Sequence, residues 1–151
     1  MGQEIEYKFL VDTEQWNRIV KPEPLLIIQS YLQKEKERTV RIRVKGNKGY
    51  LTIKGATKGV TRAEYEYEVP LNDVEEMIST FKLPHIRKRR YEVQVDQHLW
   101  EVDVFEGALA GLILAEVEVQ EEGVSFTKPD WVTEDVSLNP KYYNAVLIEK
   151  C

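Results

Sequence analysis

The chain has 151 residues, 42% hydrophobic and 31% charged, with a formal net charge of −5. That is apolar material for one domain with a sizeable core, and the acidic balance argues against a general binder of nucleic acid or membrane surfaces. The lone cysteine, Cys151, excludes an internal disulfide and a thiolate metal site, which suits a reducing compartment. With no leader-like N-terminus and no apolar run near the ~20 residues of a spanning helix, a cytoplasmic protein without a membrane partner is expected.

The first predicted strand, Glu4 to Phe9, puts Glu4, Glu6 and Lys8 on one face and Ile5, Tyr7 and Phe9 on the other. Asp12 with Gln15 three residues on predicts a short helix over 13–19, ended by Pro22 and Pro24. The run LLIIQSYLQ, 25–33, reads as a strand, and 38–45 as another with Thr39, Arg41, Arg43 and Lys45 sharing a face. A turn at 46–49 leads into YLTIKG, where Thr52 and Lys54 oppose Leu51 and Ile53. The segment 62–69 alternates completely, with Arg62, Glu64, Glu66 and Glu68 on one side.

Asn72, with Glu75 at the capping-box position, predicts a helix to about Phe81 whose apolar stripe is Val74, Met77, Ile78 and Phe81. After Pro84 a strand places Lys88 and Arg90 together, and the next opposes Glu101 and Asp103 to Trp100, Val102 and Val104. LILAEVEV opposes Glu116 and Glu118 to Val117 and Val119. From Gln120 the pattern loosens into short turns anchored by Trp131, until Asn139-Pro140 predicts the cap and first position of a C-terminal helix. About eight strands in hairpin order with three short helices give an α+β class: an antiparallel sheet closed as one barrel or folded as two facing sheets.

The polar positions of these strands are mostly Glu, Asp, Lys and Arg rather than the Thr, Ser, Asn and Gln of an ordinary wet sheet face. Two geometries account for that. The sheet either bathes the charges in water, paired across strands for ~0.2–1 kcal/mol each, or turns them inward to wall a tunnel. Alternation does not separate the two. An inward face requires counterions: a divalent metal for the acids and a polyanion for the bases. Carboxylates two residues apart lie on the order of 7 Å from each other, close enough to share a hard cation. Mg²⁺ or Mn²⁺ suits such oxygen ligands, while arginine forks and lysine ammonium groups suit phosphate oxygens.

Seven elements occur in order: Glu4-x-Glu6-x-Lys8, Arg41-x-Arg43, Thr52-Ile53-Lys54-Gly55, Glu64-x-Glu66, Lys88-x-Arg90-Tyr91, Glu101-Val102-Asp103-Val104-Phe105 and Glu116-x-Glu118. In this the chain resembles the CYTH superfamily, the triphosphate tunnel metalloenzymes, in their compact bacterial form, from residue 4 to about residue 144. The resemblance implies an eight-stranded antiparallel β-barrel, Mg²⁺ or Mn²⁺ as cofactor, and hydrolysis of inorganic triphosphate. It further implies that Glu4, Glu6, Asp103, Glu116 and Glu118 bind metal and that Lys8, Arg41, Arg43, Lys54, Lys88 and Arg90 cradle triphosphate. Glu4, Glu6, Lys8 and Glu66 are the expected catalytic residues, and a homodimer is the implied assembly. Tyr7, often basic in compact relatives, faces away from the site. The segment before Asp135 is shorter than the family pattern, which leaves the tunnel plug and any contact from Lys141 open.

His85 and His98 sit at turns, and Trp16, Trp100 and Trp131 accompany other apolar residues, so packing rather than chemistry is expected of all five. Alternation splits the RKRR run over two faces, against a nucleic-acid patch. The competing functions are a nucleotide-using relative, such as an adenylyl cyclase or a nucleoside or thiamine triphosphatase, and a binding module that holds polyphosphate or nucleotide without turnover.

Overall fold

The computed structural model describes residues 2–151. Nine strands form in chain order: β1 (Gln3–Val11), β2 (Leu25–Lys34), β3 (Arg38–Lys45), β4 (Lys48–Gly55), β5 (Thr61–Val69), β6 (Ile86–Val95), β7 (His98–Phe105), β8 (Ile113–Glu118) and β9 (Val132–Asp135). Every pairing is antiparallel, in the order β5-β4-β3-β2-β6-β7-β8-β1. The further pairing of β1 with β5, Glu4 opposite Arg62, closes these eight into a barrel. Short β9 adds to β1 outside the closed ring.

Closure decides between the two geometries, because residues opposite each other in register share a face. Lys8 opposes Glu116, Arg41 opposes Thr52, and Arg90 opposes Asp103. Those charged faces line one common cavity inside the closed sheet, so they point at the barrel axis, and most of the apolar faces point out.

The outward apolar face of β1, β7 and β8 is a core in its own right. Phe9, Trp100, Val102, Ala115 and Val117 bury themselves against Trp16 of α1 (Thr13–Arg18) and Trp131 of the strap between β8 and β9. The rings interlock edge to face, with Trp16 and Trp131 centred 5.1 Å apart at 73°. Phe126 of the same strap touches Phe9 and Trp100, and Tyr7, outward as expected, accepts a hydrogen bond at Oη from Gly123 N. Asp12 caps α1 by accepting from Gln15 N. No helix among the described residues is long and apolar enough to cross a membrane.

On the opposite side α2 (Leu71–Thr80) lays Val74 over Ile42 and Val44. It sits so close that a Cβ on Gly49 would fall 2.9 Å from both Val69 O and Val74 Cγ2. This helix departs from expectation at both ends. Pro70 holds the N-cap position with no side-chain cap, so Asn72 lies inside the first turn, and Phe81 is 58% exposed beyond the end of the stripe. Pro70 fixes φ at −58° and its carbonyl accepts from Asp73 N and Val74 N, so the helix starts at Leu71, ahead of Asn72.

The C-terminal helix also differs. Asn139 does cap, accepting from Lys141 N, but the chain makes only a 3-10 turn at Pro140–Tyr142, then α3 (Asn144–Leu147), then another 3-10 turn at Ile148–Lys150. Leu147 and Ile148 pack with Val136 on Ile86, Phe105 and Leu114. These are axis-facing residues at one end of β6, β7 and β8, so the broken helix follows the contour of the barrel end that it covers.

Candidate active site

Inside the barrel lies a cavity of about 630 Å³ lined by Glu4, Glu6, Lys8, Arg41, Arg43, Lys54, Arg90 and Glu116 among others. Its cations come mainly from β3, β4 and β6, with Lys8 from β1 and Arg62 from β5. Arg41 and Arg43 aim one NH2 each at the same oxygen, Glu66 Oε2, at 3.5 and 3.3 Å, and Thr52 Oγ1 donates to that oxygen at 2.7 Å. Burial, then the neighbouring charges of Arg41 and Arg90, pull the Arg43 guanidinium down to about 10. Glu66 is held below the ordinary glutamate value: burial opposes this, but the Thr52 hydroxyl and the two arginines outweigh it.

Arg90 and Lys88 are fixed by Asp103. Arg90 Nε and NH2 reach the two Asp103 oxygens at 2.8 and 2.9 Å, and Lys88 Nζ reaches Oδ2 at 2.8 Å. Asp103 is thereby lowered to about 2, the two cations overcoming burial, and burial lowers Lys88 to about 8 despite that partner. The carboxylate expected among the metal ligands is 1% exposed and already holds a bidentate fork and an ammonium. Its geometry is that of a clamp on the cations.

The remaining acids gather on β1, β8 and β5. Lys54 Nζ bridges Glu4 at 3.1 Å and Glu64 at 3.3 Å. Burial would raise Glu4, but Lys54 outweighs it and holds this carboxyl below its ordinary value. Glu6 behaves oppositely: burial, reinforced by the charges of Glu116 and Glu4, drives it well above. Glu116 beside it is held well below its ordinary value, with Lys8, the adjacent Glu6 carboxyl and Arg90 outweighing burial. Glu118 is raised by burial and by Glu4, Glu64 and Glu101. This is a group of like charges short of counterions, and such crowding fits a hard divalent cation. Among the described residues no three such side chains stand close enough to form a finished metal cluster. A cation would have to draw these carboxylates together.

Lys8 Nζ donates to Tyr142 O at 3.0 Å, and Lys88 Nζ lies 3.4 Å from Asn144 Oδ1, so two expected triphosphate contacts also hold the C-terminal segment. Lys141 does not reach the cavity; its ammonium lies over the Tyr142 ring at 5.5 Å and lines a separate hollow. Glu68, on the polar face by alternation, pairs with exposed Lys48 at 3.9 Å and is outside the cavity lining. His85 and His98 do not line the cavity either, and Trp16, Trp100 and Trp131 are buried packing residues. Thr52 was missed as a site residue, although its alternation with Lys54 already put it on the charged face. Ser137, which accepts from Lys8 N at 2.9 Å, had no periodic signal to reveal it.

A closed antiparallel barrel walled inside by facing cations and carboxylates defines a charged-tunnel protein. The CYTH domain matches residues 2–145, and the chain belongs to that family. It is 41% identical over 150 residues to an inorganic triphosphatase of Acetivibrio thermocellus, covering 99% of this chain and 95% of that protein. An inorganic triphosphatase of Nitrosomonas europaea is 32% identical over 148 residues, 95% of each chain. A crystal structure of an inorganic triphosphatase superposes with a TM-score of 0.67 at 29% identity, over 98% of this chain and 95% of the other.

Proposed function

We propose that this chain is a divalent-metal-dependent phosphohydrolase that cleaves inorganic triphosphate inside its barrel. One observation carries the reading: a single cavity is lined both by Arg41, Arg43, Lys54 and Arg90 of β3, β4 and β6 and by Glu4, Glu6, Glu116 and Glu118 of β1 and β8. Triphosphate and metal are complementary to the two walls, and a polyanion receptor without metal would gain nothing from the second.

Glu4, Glu6, Glu116 and Glu118 would hold the metal, Mg²⁺ or Mn²⁺. When bound it supplies charge neutralisation at the phosphate oxygens and an activated water. The chain's own groups do the rest. Arg41 and Arg43 present donor forks to one end of the phosphate chain, and Lys54 and Arg90 neutralise charge that spreads over the transferred phosphoryl group. Asp103 keeps Lys88 and Arg90 in place, Glu66 spaces the two arginines, and Lys8 supports the ionised Glu116. Burial and the charges of Glu116 and Glu4 raise the Glu6 carboxyl, a like-charge strain that a bound cation would relieve. Burial in the barrel strengthens each of these interactions relative to water.

Phosphate release from triphosphate, ATP and thiamine triphosphate, each with Mg²⁺, Mn²⁺ or EDTA, tests this. The expected outcome is turnover of triphosphate above the others, lost in EDTA. Cyclic AMP formed from ATP, or no turnover of any substrate, would overturn it.

A further inference from the structure

The cationic wall contains buried polar groups that no protein atom among the described residues satisfies. The whole side-chain amide of Gln29, and the Nε atoms of Arg41 and Arg43, are buried without a hydrogen-bond partner among the described residues. Gln29 is 0% exposed. On β2 it stands directly opposite Arg43 of β3, on the same face, with Ile86 of β6 on its other side. Directly opposed residues have Cβ atoms ~4.5–5.5 Å apart, so the amide has the reach to meet that guanidinium.

An orphaned buried amide costs folding free energy, and an apolar side chain of the same shape would cost less. Folding therefore does not account for Gln29. Its chemistry does: it puts an acceptor oxygen on the strand position directly opposite Arg43, whose one acid partner among the described residues is Glu66 at 3.3 Å. A guanidinium is a rigid plane with five donors, so moving its fork end also moves its Nε edge.

We propose that Gln29 is a positioning residue for the anion-loaded tunnel. Triphosphate draws the Arg43 fork off Glu66, the guanidinium pivots, and Gln29 Oε1 accepts the Arg43 Nε–H and locks the fork toward the phosphate. This rests on the reading that the cationic wall holds triphosphate.

The test compares wild type with Gln29→Met, and with Gln29→Leu as a second apolar side chain. Each is melted in EDTA with and without tripolyphosphate, and assayed with metal. Without ligand, both variants melt at or above the wild-type temperature, because an unsatisfied amide is gone. The tripolyphosphate-induced rise in melting temperature shrinks, KM increases roughly tenfold as for loss of a hydrogen bond to a charged group, and kcat stays within about twofold. In wild type the Arg43 Nε–H proton, assigned by its loss in Arg43→Lys, becomes protected from exchange on adding tripolyphosphate; in Gln29→Met it does not. Variants that melt lower yet keep the full ligand shift and KM would make Gln29 a structural residue and overturn the proposal. A wild type that tripolyphosphate does not stabilise would instead sink the underlying reading of the cavity.

Discussion

The two faces of the same strands do opposite work. On β7 the outward Trp100 and Val102 are both 0% exposed, packed under α1 and the strap that carries Trp131, while inward Glu101 and Asp103 meet Arg90. Small eight-stranded barrels commonly fill their interiors with side chains and draw stability from them. Here much of the apolar burial lies outside the sheet, and the interior is given to charges. Stability and chemistry are separated by the thickness of a strand, so substitutions on adjacent residues should have different consequences.

The largest effect on folding is expected from Trp100→Ala, which empties the middle of the outer core. A loss of about 3–5 kcal/mol in denaturant unfolding is expected, and a loss below about 1 kcal/mol would show that the outer layer is not the main core. On the neighbouring strand β8, Glu116→Gln on the inner face should leave the melting temperature within a few degrees while lowering turnover by at least ~10²-fold at saturating metal. Wild-type activity in that variant, or in Glu4→Ala, would break the division between the two faces.

A smaller effect follows from Glu6. Its folded carboxyl titrates well above 4.5, so both states are protonated below that pH, and above it the unfolded chain ionises first while the folded one keeps its proton. Stability of the metal-free protein in EDTA should therefore fall as pH rises from 4.5 through the raised folded value. The slope is at most ~1.4 kcal/mol per pH unit for one proton. Glu6→Gln should remove that component, visible as the difference between the two stability curves; parallel curves would mean Glu6 is not the group that retains the proton. The smallest effect belongs to the outer surface at Glu106, which pairs with half-exposed Arg87 and Arg89 at 2.9 and 3.3 Å. Glu106→Ala should cost under ~1 kcal/mol and leave kcat and KM unchanged.

Much of the barrel was legible because alternation is a direct signature of a two-sided strand. The strand 38–45 is found at its expected bounds, and the one expected at 62–69 begins a single residue earlier, at Thr61. β9 escaped because four residues with one half-buried face carry too short a pattern, and the C-terminal helix broke because its residues answer to the shape of a barrel end rather than to helical periodicity. Thr52 was visible beside Lys54, whereas Gln29 sits in LLIIQSYLQ, where burial on both faces erases the alternation.

By itself the sequence determined which residues share a face, since a period of two is local and survives any tertiary arrangement. It determined too, through seven ordered motifs, the family whose tunnel those faces build. Tertiary structure alone decided that the charged side turns inward, because closure depends on β1 meeting β5, residues some sixty positions apart in the chain. It also decided the roles within the acidic set. Asp103 and Glu116 look alike as alternating carboxylates, yet one is clamped by Lys88 and Arg90 at 2.8 Å while the other lies opposite Lys8 and reaches Arg90 only at 3.7 Å, a distinction made by cross-strand neighbours that no local pattern records.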